Sequence, residues 1–578
     1  MSNPAQAGQP SLKVPREDNR YLCWPPATQS AKWLKSNREI LEDSNSSRLP
    51  KWFSRIRSLA RVQALTASQR YLSHYAPSLS ESIGSIDTSQ VQIVVGGHQP
   101  ELFHPGVWFK NYLLAEIGVR AGAVSLQVII DHDVAKSDTL RIPSCTFSDV
   151  PGTHQEFFQR SVLLPIRGES QTRSPWHLTS TAASNPSLWA ETIDRIGKLL
   201  FPCKIDEPML ASQSKLLIDS IATSINIGDA FARFRHRIEL EHGVKNIEVP
   251  MSDLCTGTAF GLFVQHCARN AGTLWSSYNR SRSAFRKQHK IRNQAQPVLE
   301  LLRTDLWLEL PFWIYRSTED AAIVRKRLWI SSREERMLLC DAADPSQRTI
   351  EIELPNDVEA LPDAWRTIVE SGICIRPRAL MTTLYLRCFI ADLFVHGIGG
   401  GTYDAVTDSI IREWIGIEPP VYMISSASLH LPLRSVETSH PSDDTEAIRS
   451  PVSARLASVQ RELQWLRSVP EKYLDRSIAD QRILMDDHAR LISAIPARGN
   501  KRAWHGRITD LRKQIHAVVL PVQSAKQAEL HQIRKEIQQT KIRKSREYSL
   551  VLFGERNVVS RLQELAHQAF ESHADAGK

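Results

Sequence analysis

Hydrophobic positions change their spacing several times along this chain, and each change predicts an element. Between Ala31 and Tyr75 apolar residues recur at helical spacing (Trp33, Leu34, Ile40, Leu41, Trp52, Phe53, Ile56, Leu59, Leu65) and the pattern breaks near Ser44 to Pro50. That predicts amphipathic helices ahead of any sheet. Val91 to Val95 is a short β-branched run with no helical period, which predicts a buried strand ended by Gly96 and Gly97. Helical spacing returns from Val107 to Ile117, and Leu126 to Ile130 predicts a second strand. Thr139 to Pro143 and Val162 to Ile166 are strand-like; Leu188 to Phe201, Leu210 to Ile227 and Asp229 to His242 are helical; Ile247 to Pro250 is a short strand before a helix start at Met251 to Leu254.

Leu306 to Tyr315, Lys326 to Ile330 and Thr349 to Leu354 predict strands of an antiparallel extension, the last with the clearest period of two. Val406 to Ile415 predicts a helix opened by a glycine-dense loop. From Val452 to Phe570 helical periods run between breaks at Pro470, Pro496 to Asn500 and Pro521, which predicts long antiparallel helices or a coiled coil. The fold class is therefore α/β: a parallel-sheet core, a helical and antiparallel insertion, and a C-terminal α-helical coiled coil. The expected divisions are a flexible lead-in over 1–28, the core with its N-terminal helices and insertion over 29–435, a linker over 436–452, and the coiled coil with a C-terminal segment over 453–578.

Composition narrows the class. With 578 residues and 42% hydrophobic content the chain holds two or more structural units and a sizeable core. The first 26 residues lack an apolar signal region and no apolar run approaches 18 residues, so the expectation is a cytoplasmic protein without a membrane span. Eight cysteines without a C-x-x-C pair argue against a disulfide scaffold and a zinc ribbon, and no metal is expected. The net charge of +9 is small for this length. The basic set Lys526, Arg534, Lys535, Lys541, Arg543, Lys544 and Arg546 fits a solvated helix face better than a nucleic-acid site.

The candidate chemistry follows the two predicted strands. After the first come Gly97, His98, Gln99 and His104; after the second come Asp131, His132 and Asp133. Polar side chains on two successive strand-end loops are what the carboxyl edge of a parallel sheet carries when it binds a ligand. His98, His132 and Asp133 are expected at the catalytic centre. Histidine suits the deprotonation of an incoming ammonium near neutral pH, Asp131 or Asp133 holds the imidazole or the ammonium, and Gln99 orients a carbonyl. The competing expectation is that Asp131-His132-Asp133 caps the following segment. A second block holds Gly397, Gly399, Gly400, Tyr403 and Asp404, with His396 and Asp408 beside them. A glycine-rich turn opening a helix presents backbone N–H groups to a phosphate or carboxylate, with Arg376 or Arg378 as the matching charge; a tight structural turn explains the glycines equally well.

Several of these blocks resemble the BshC family, the putative cysteine-adding enzymes of bacillithiol biosynthesis. Gly97-His98-Gln99-Pro100-Glu101-Leu102-Phe103 with Trp108 is similar to that family's G-Q-Q-x-G-L-F with a following aromatic, and Asp131-His132-Asp133 to its D-H-D. Gly397-Ile398-Gly399 with Tyr403, preceded by Arg376-Pro377, resembles its G-P-G…Y loop; Leu552-Phe553 and Leu562-Gln563-Glu564 resemble its L-F-P…L-Q-E-R. The resemblance implies a Rossmann-like, nucleotidyltransferase-type core, an inserted connecting region, and a coiled coil through which two chains pair. It implies ligation of cysteine, or a similar amino acid, to an amino-sugar or other small amine through an activated carboxylate, with ATP or another nucleotide involved. The chain departs from the pattern at His98, at the added His104 and at Ile130. The alternatives are a non-catalytic nucleotide-binding or coiled-coil scaffold protein, and a nucleotidyltransferase-like adenylylating enzyme. A homodimer through the C-terminal helices is also expected from the apolar stripes Leu456 to Leu466 and Leu530 to Ile542, which look too long to be covered within one chain.

Overall fold

The structure is a computed structural model, described here for residues 12–42, 49–134, 138–146, 156–166, 174–179, 186–205, 207–293, 298–317, 324–331, 336–433, 449–496, 499 and 501–571. Its thirteen described strands are β1 (Arg20–Trp24), β2 (Ile93–His98), β3 (Val124–Ile129), β4 (Thr139–Cys145), β5 (Phe157–Leu163), β6 (Ile247–Pro250), β7 (Trp307–Arg316), β8 (Lys326–Ser331), β9 (Met337–Cys340), β10 (Glu351–Leu354), β11 (Ile373–Pro377), β12 (Leu393–His396) and β13 (Tyr422–Ser428). The fold is mixed α/β, with one sheet of mainly parallel strands and antiparallel sheets beside it.

The parallel sheet has the order β1-β13-β12-β2-β3-β6. Strands β13, β12, β2, β3 and β6 are parallel, and β1 runs antiparallel along the edge of β13. Arg20–Trp24, expected in a flexible lead-in, is thus an edge strand, tied down by its ladder to β13. Strand β2 does not stop at Gly96 and Gly97 either. It pairs with β3 through both glycines to His98, because glycine costs a strand stability without forbidding it. From β2 the chain steps outward to β3 and β6, then returns on the other side of β2 as β12 and β13, so the order reverses between β2 and β12. A crevice at the carboxyl ends of such a sheet is where ligands bind in open α/β folds.

The amino-terminal edge of the sheet is closed by charge. Asp392, just before β12, accepts hydrogen bonds from Arg57 at 2.5 Å, Arg61 at 3.0 Å and the Ile93 amide at 2.7 Å. The two arginines come from the helix Lys51–Ser73, which follows the break expected before Pro50. This ties the N-terminal helices to the sheet at the end away from the strand-end loops.

The antiparallel extension is a five-stranded sheet of order β10-β9-β8-β7-β11. Its three expected strands are present, together with β9 and β11. Strand β11 carries Arg376 next to β7. Strands β4 and β5 form a two-stranded sheet.

The chain divides into two compact units, residues 1–142, 160–432 and 546–578 in one and residues 143–159 and 433–545 in the other. The boundary expected at 453 is therefore crossed near the C-terminus: helix Glu555–Glu571 packs on helix Pro105–Ala121 in the first unit. Much of the linker expected over 436–452 lies outside the described residues.

In the second unit, helices Arg449–Ser468 and Ala479–Ser493 both pack on Lys501–Arg543. Val459, Leu463 and Leu466 are buried with Leu511, Ile515, Val519 and Ile533 of the same chain. The stripes that suggested a partner chain thus cover one another, which removes that reason for a dimer. The breaks at Pro470 and near Pro496 are present, but the 43-residue helix runs through Pro521. Proline there removes one intrahelical donor without ending the helix. Two of the basic residues are ion-paired, Lys526 with Glu462 at 2.8 Å and Lys535 with Glu156. No described helix is long and apolar enough to cross a membrane.

Candidate active site at the strand ends

The loops after β2 and β3 meet. Gln99 Nε2 donates to Asp133 Oδ2 at 3.1 Å, and Arg325 donates to the other carboxylate oxygen at 3.2 Å. Burial works to raise the Asp133 carboxyl, but the Gln99 hydrogen bond, His132 and Arg325 outweigh it and hold the group below its usual value. The bond joining the loops is made by Gln99. His98, beside it, lies edge-on against Phe103 with Nδ1 3.0 Å from Gln99 O.

Asp131 bonds not to the segment that follows it, as the competing expectation had it, but to a turn far along the chain. Its carboxylate accepts from the Ser252 amide at 2.9 Å and from the Ser252 hydroxyl, at the start of the single turn Met251–Leu254 that follows β6. A third strand end is thereby joined to the first two. His132 is 4% exposed, and its Nδ1 is buried without a hydrogen-bond partner. Burial pushes its pKa down to about 4, so it is a neutral imidazole at pH 7. His177, in the short turn Trp176–Leu178, places Nδ1 3.0 Å from Asp131 O and Nε2 3.4 Å from the Tyr315 hydroxyl; burial, then the charge of Arg376, lower it to about 3.

Arg376 completes this group. It is 6% exposed, its Nε has no hydrogen-bond partner, and its Nη1 bonds the carbonyl of its neighbour Ile375 at 3.0 Å. Its positive charge acts on Asp131, His132, His177 and Asp253. A buried guanidinium without a hydrogen-bonded acid is costly, and an anionic ligand offsets that cost. Asp253 is half-buried at the rim, and burial followed by Asp131 raises its pKa to about 6. It also lines a cleft of about 510 Å³ with Gln63, Arg70, Thr256, Trp365 and Arg366.

The second expected site is rearranged. Gly397 is the N-cap of helix Ile398–Ile410, so Gly399 and Gly400 are its first turn and not a loop. None of these glycines has a positive φ. A side chain at Gly401 would meet Ile424 at 2.4 Å and one at Gly400 would meet His396 at 3.0 Å, so these two let the helix approach β12 and β13. Asp404 is buried in bonds within the protein, to Arg387 at 2.6 Å, His396 at 2.8 Å and Thr383 at 2.7 Å. Tyr403 packs edge-on against Phe285. Arg378 is ion-paired with Glu309 at 2.6 Å and lies over the Trp313 ring.

Helix Pro105–Ala121 brings a different cation to this edge. Lys110, 3% exposed, donates to Gly97 O at 3.0 Å, and a Cβ added to Gly397 would lie 3.9 Å from its Nζ. His104, expected to bind ligand, is the N-cap of that helix and accepts from the Gly106 amide through Nδ1 at 3.1 Å. Burial, then Arg546 and Lys110, lower its pKa to about 3. Lys110 has a readable signal, an ammonium on the apolar side of a helical run. Arg325, His177, Tyr315 and Asp253 have none, because tertiary folding alone brings them here.

The described residues that come closest to a metal site are His236, Glu239 and Glu248, whose ligand atoms lie within 4.8 Å of one another. Both nitrogens of His236 are taken by Tyr75 and Asn246, and Arg235 bridges the carboxylates at 2.8 and 2.6 Å. The group is a buried polar network inside the first unit. No family model matches this chain and no curated protein matches it, so its function is argued from these residues.

Proposed function

We propose that the chain is a carbon–nitrogen ligase of the kind the BshC resemblance implies, on a Rossmann-like core. It would join cysteine or a similar amino acid to an amino-sugar or other small amine, with ATP or another nucleotide activating the carboxylate. The observation that carries the reading is the Gln99–Asp133 bond uniting two strand-end loops beside an Arg376 that lacks a hydrogen-bonded acid.

In this reading Arg376 holds the activated carboxylate and Asp133 the amine. The amine nitrogen attacks the carboxyl carbon, the new C–N bond forms, and the C–O bond to the phosphate-bearing leaving group breaks. The amine proton passes to a nearby base. His132, near 4, is too acidic to serve well, and Asp253, near 6, is better matched to neutral pH. His132 then acts as a hydrogen-bonding group through its unpartnered Nδ1. Pairing of two chains, which the resemblance also implies, remains part of this proposal and is checked by solution mass.

The test is thermal-shift screening with nucleotides, cysteine and amino-sugar conjugates. A ligand at 100 times its dissociation constant stabilises by about 2.7 kcal/mol. Arg376→Met is expected to abolish the shift given by the carboxylate substrate while leaving the unliganded protein folded. Stabilisation by none of these compounds, or an unchanged shift in Arg376→Met, sinks the ligase reading.

A further inference from the structure

We propose that the carboxyl ends of β2, β12 and β13 carry a phosphoryl-binding subsite, built from Lys110, His104 and Arg546 together with the N-terminus of helix Ile398–Ile410. It deepens the ligase reading by placing the nucleotide's phosphate, and it rests on its own residues.

Two cations and a neutral imidazole converge there from two parts of the chain, Lys110 and His104 from one helix and its N-cap and Arg546 from near the C-terminus. Lys110 Nζ lies by the ends of β2 and β12, bonded to Gly97 O and 3.9 Å from where a Cβ on Gly397 would stand. Among the described residues no carboxylate forms an ion pair with it. Arg546 bonds Ser426 Oγ, near the end of β13, at 3.0 Å, and its buried Nε has no hydrogen-bond partner. A Cβ on Gly106 would lie 2.5 Å from the Arg546 guanidinium and 3.0 Å from the His104 ring, so these two side chains adjoin. The acid nearby is Glu547, which is more than half exposed and 3.7 Å from Arg546 and 3.9 Å from His104.

Burying one ammonium and most of a guanidinium with so little opposing charge is unfavourable. An oxyanion reverses that cost. The first amides of a 13-residue helix that begins at the same strand end add N–H donors and the positive end of its dipole. Gly399, with open space around its Cβ position, leaves that turn accessible. The position is also where the strand order reverses, the usual place for a nucleotide in an open parallel sheet. The same physics accepts free phosphate and the phosphates of a nucleotide, and the ligands tested separate them.

Binding of inorganic phosphate, AMP and ATP to the full-length protein, without amine or carboxylate substrate, is measured by titration calorimetry at pH 8.5 in two buffers of different ionisation enthalpy. Burial has lowered Lys110 to about 8, with His104, Arg546 and Glu547 as the neighbouring titratable groups, so a phosphoryl ligand draws a proton onto Lys110. The expected result is binding with uptake of a fraction of a proton. In Lys110→Met that uptake disappears and affinity falls by at least about tenfold, the usual weight of a charge-assisted hydrogen bond. Arg546→Gln provides a second variant should Lys110→Met not fold, with the same loss of affinity. ATP binding without inorganic phosphate binding assigns the site to nucleotide, and phosphate binding in a protein that ligates nothing overturns only the ligase reading. Absence of binding by all three ligands, or unchanged binding in the folded variant, overturns the subsite.

Discussion

Lys110 shows at the scale of one residue how a functional group is held at the expense of stability. Its folded pKa of about 8 lies below the ordinary lysine value, so between pH 8 and 10.5 the unfolded chain binds more protons than the folded one. The sign is then set: stability attributable to this residue is fully present above about pH 10.5 and is lost as pH falls toward 8. The shift corresponds to on the order of 3 kcal/mol. Lys110→Met is expected to be at least as stable as the parent at pH 7, with the advantage shrinking by pH 10; urea unfolding at both values checks it. His132 adds the acid-side counterpart. Its pKa is lowered from 6.5 to about 4, so its contribution is present above pH 6.5 and lost as pH falls to 4. His132→Gln is expected to flatten the loss of stability across that window, measured as unfolding midpoint against pH.

Among the elements, the glycines separate sharply. Gly106 sits in the first turn of helix Pro105–Ala121, where an added Cβ would come within 2.1 Å of the Ala427 carbonyl on β13. Backbone of a central strand does not yield, so Gly106→Ala is expected to cost about 3 kcal/mol or more, the upper range for overpacking. Gly399 is helical and faces open space. Gly399→Ala is expected to stabilise by about 0.5–1 kcal/mol, because alanine loses less backbone entropy in a helix. Chemical denaturation of both variants tests the pair, and equal effects would contradict the packing described for the two helices. The same logic corrects the reading of Gly397 to Gly401 as a loop. A glycine cluster signals close approach or unusual φ, and here close approach to β12 and β13 is the cause.

At the scale of the whole molecule each of the two units has a hydrophobic core of its own, one around the parallel sheet and one among the C-terminal helices. Units with their own cores unfold as separate cooperative steps when their coupling is weak. Scanning calorimetry is expected to resolve two transitions. Ile515→Ala, at a fully buried position of the helical core, is expected to lower one of them by about 2–5 kcal/mol and leave the other in place. A single transition that shifts as a whole would show that the two cores unfold together.

Local rules made much of this protein legible in its sequence. The β-branched run at Val91 to Val95, the helical spacing before and after it, and the period of two at Thr349 to Leu354 predict strands and helices because apolar periodicity records which face is buried. The polar strand ends put forward His98, Gln99, His132 and Asp133; the structure joins Gln99 and Asp133 by a hydrogen bond, leaves His132 Nδ1 without a partner and sets His98 against Phe103. Periodicity carries no record of which partner covers a face. The helical stripes of the second unit look the same whether a second chain or the same chain buries them, and only the packing of Leu463 and Ile515 in one core decides it. Arg376 and Arg378, two residues apart on or beside β11, appear equivalent in the chain. Folding gives Arg378 to Glu309 and leaves Arg376 with the histidines, because β11 ends at Pro377 and Arg378 already caps the helix Ala379–Tyr385, off the strand that carries Arg376. His177 and Arg325 join the site across more than forty and nearly two hundred residues of chain, a convergence that the sheet order alone creates.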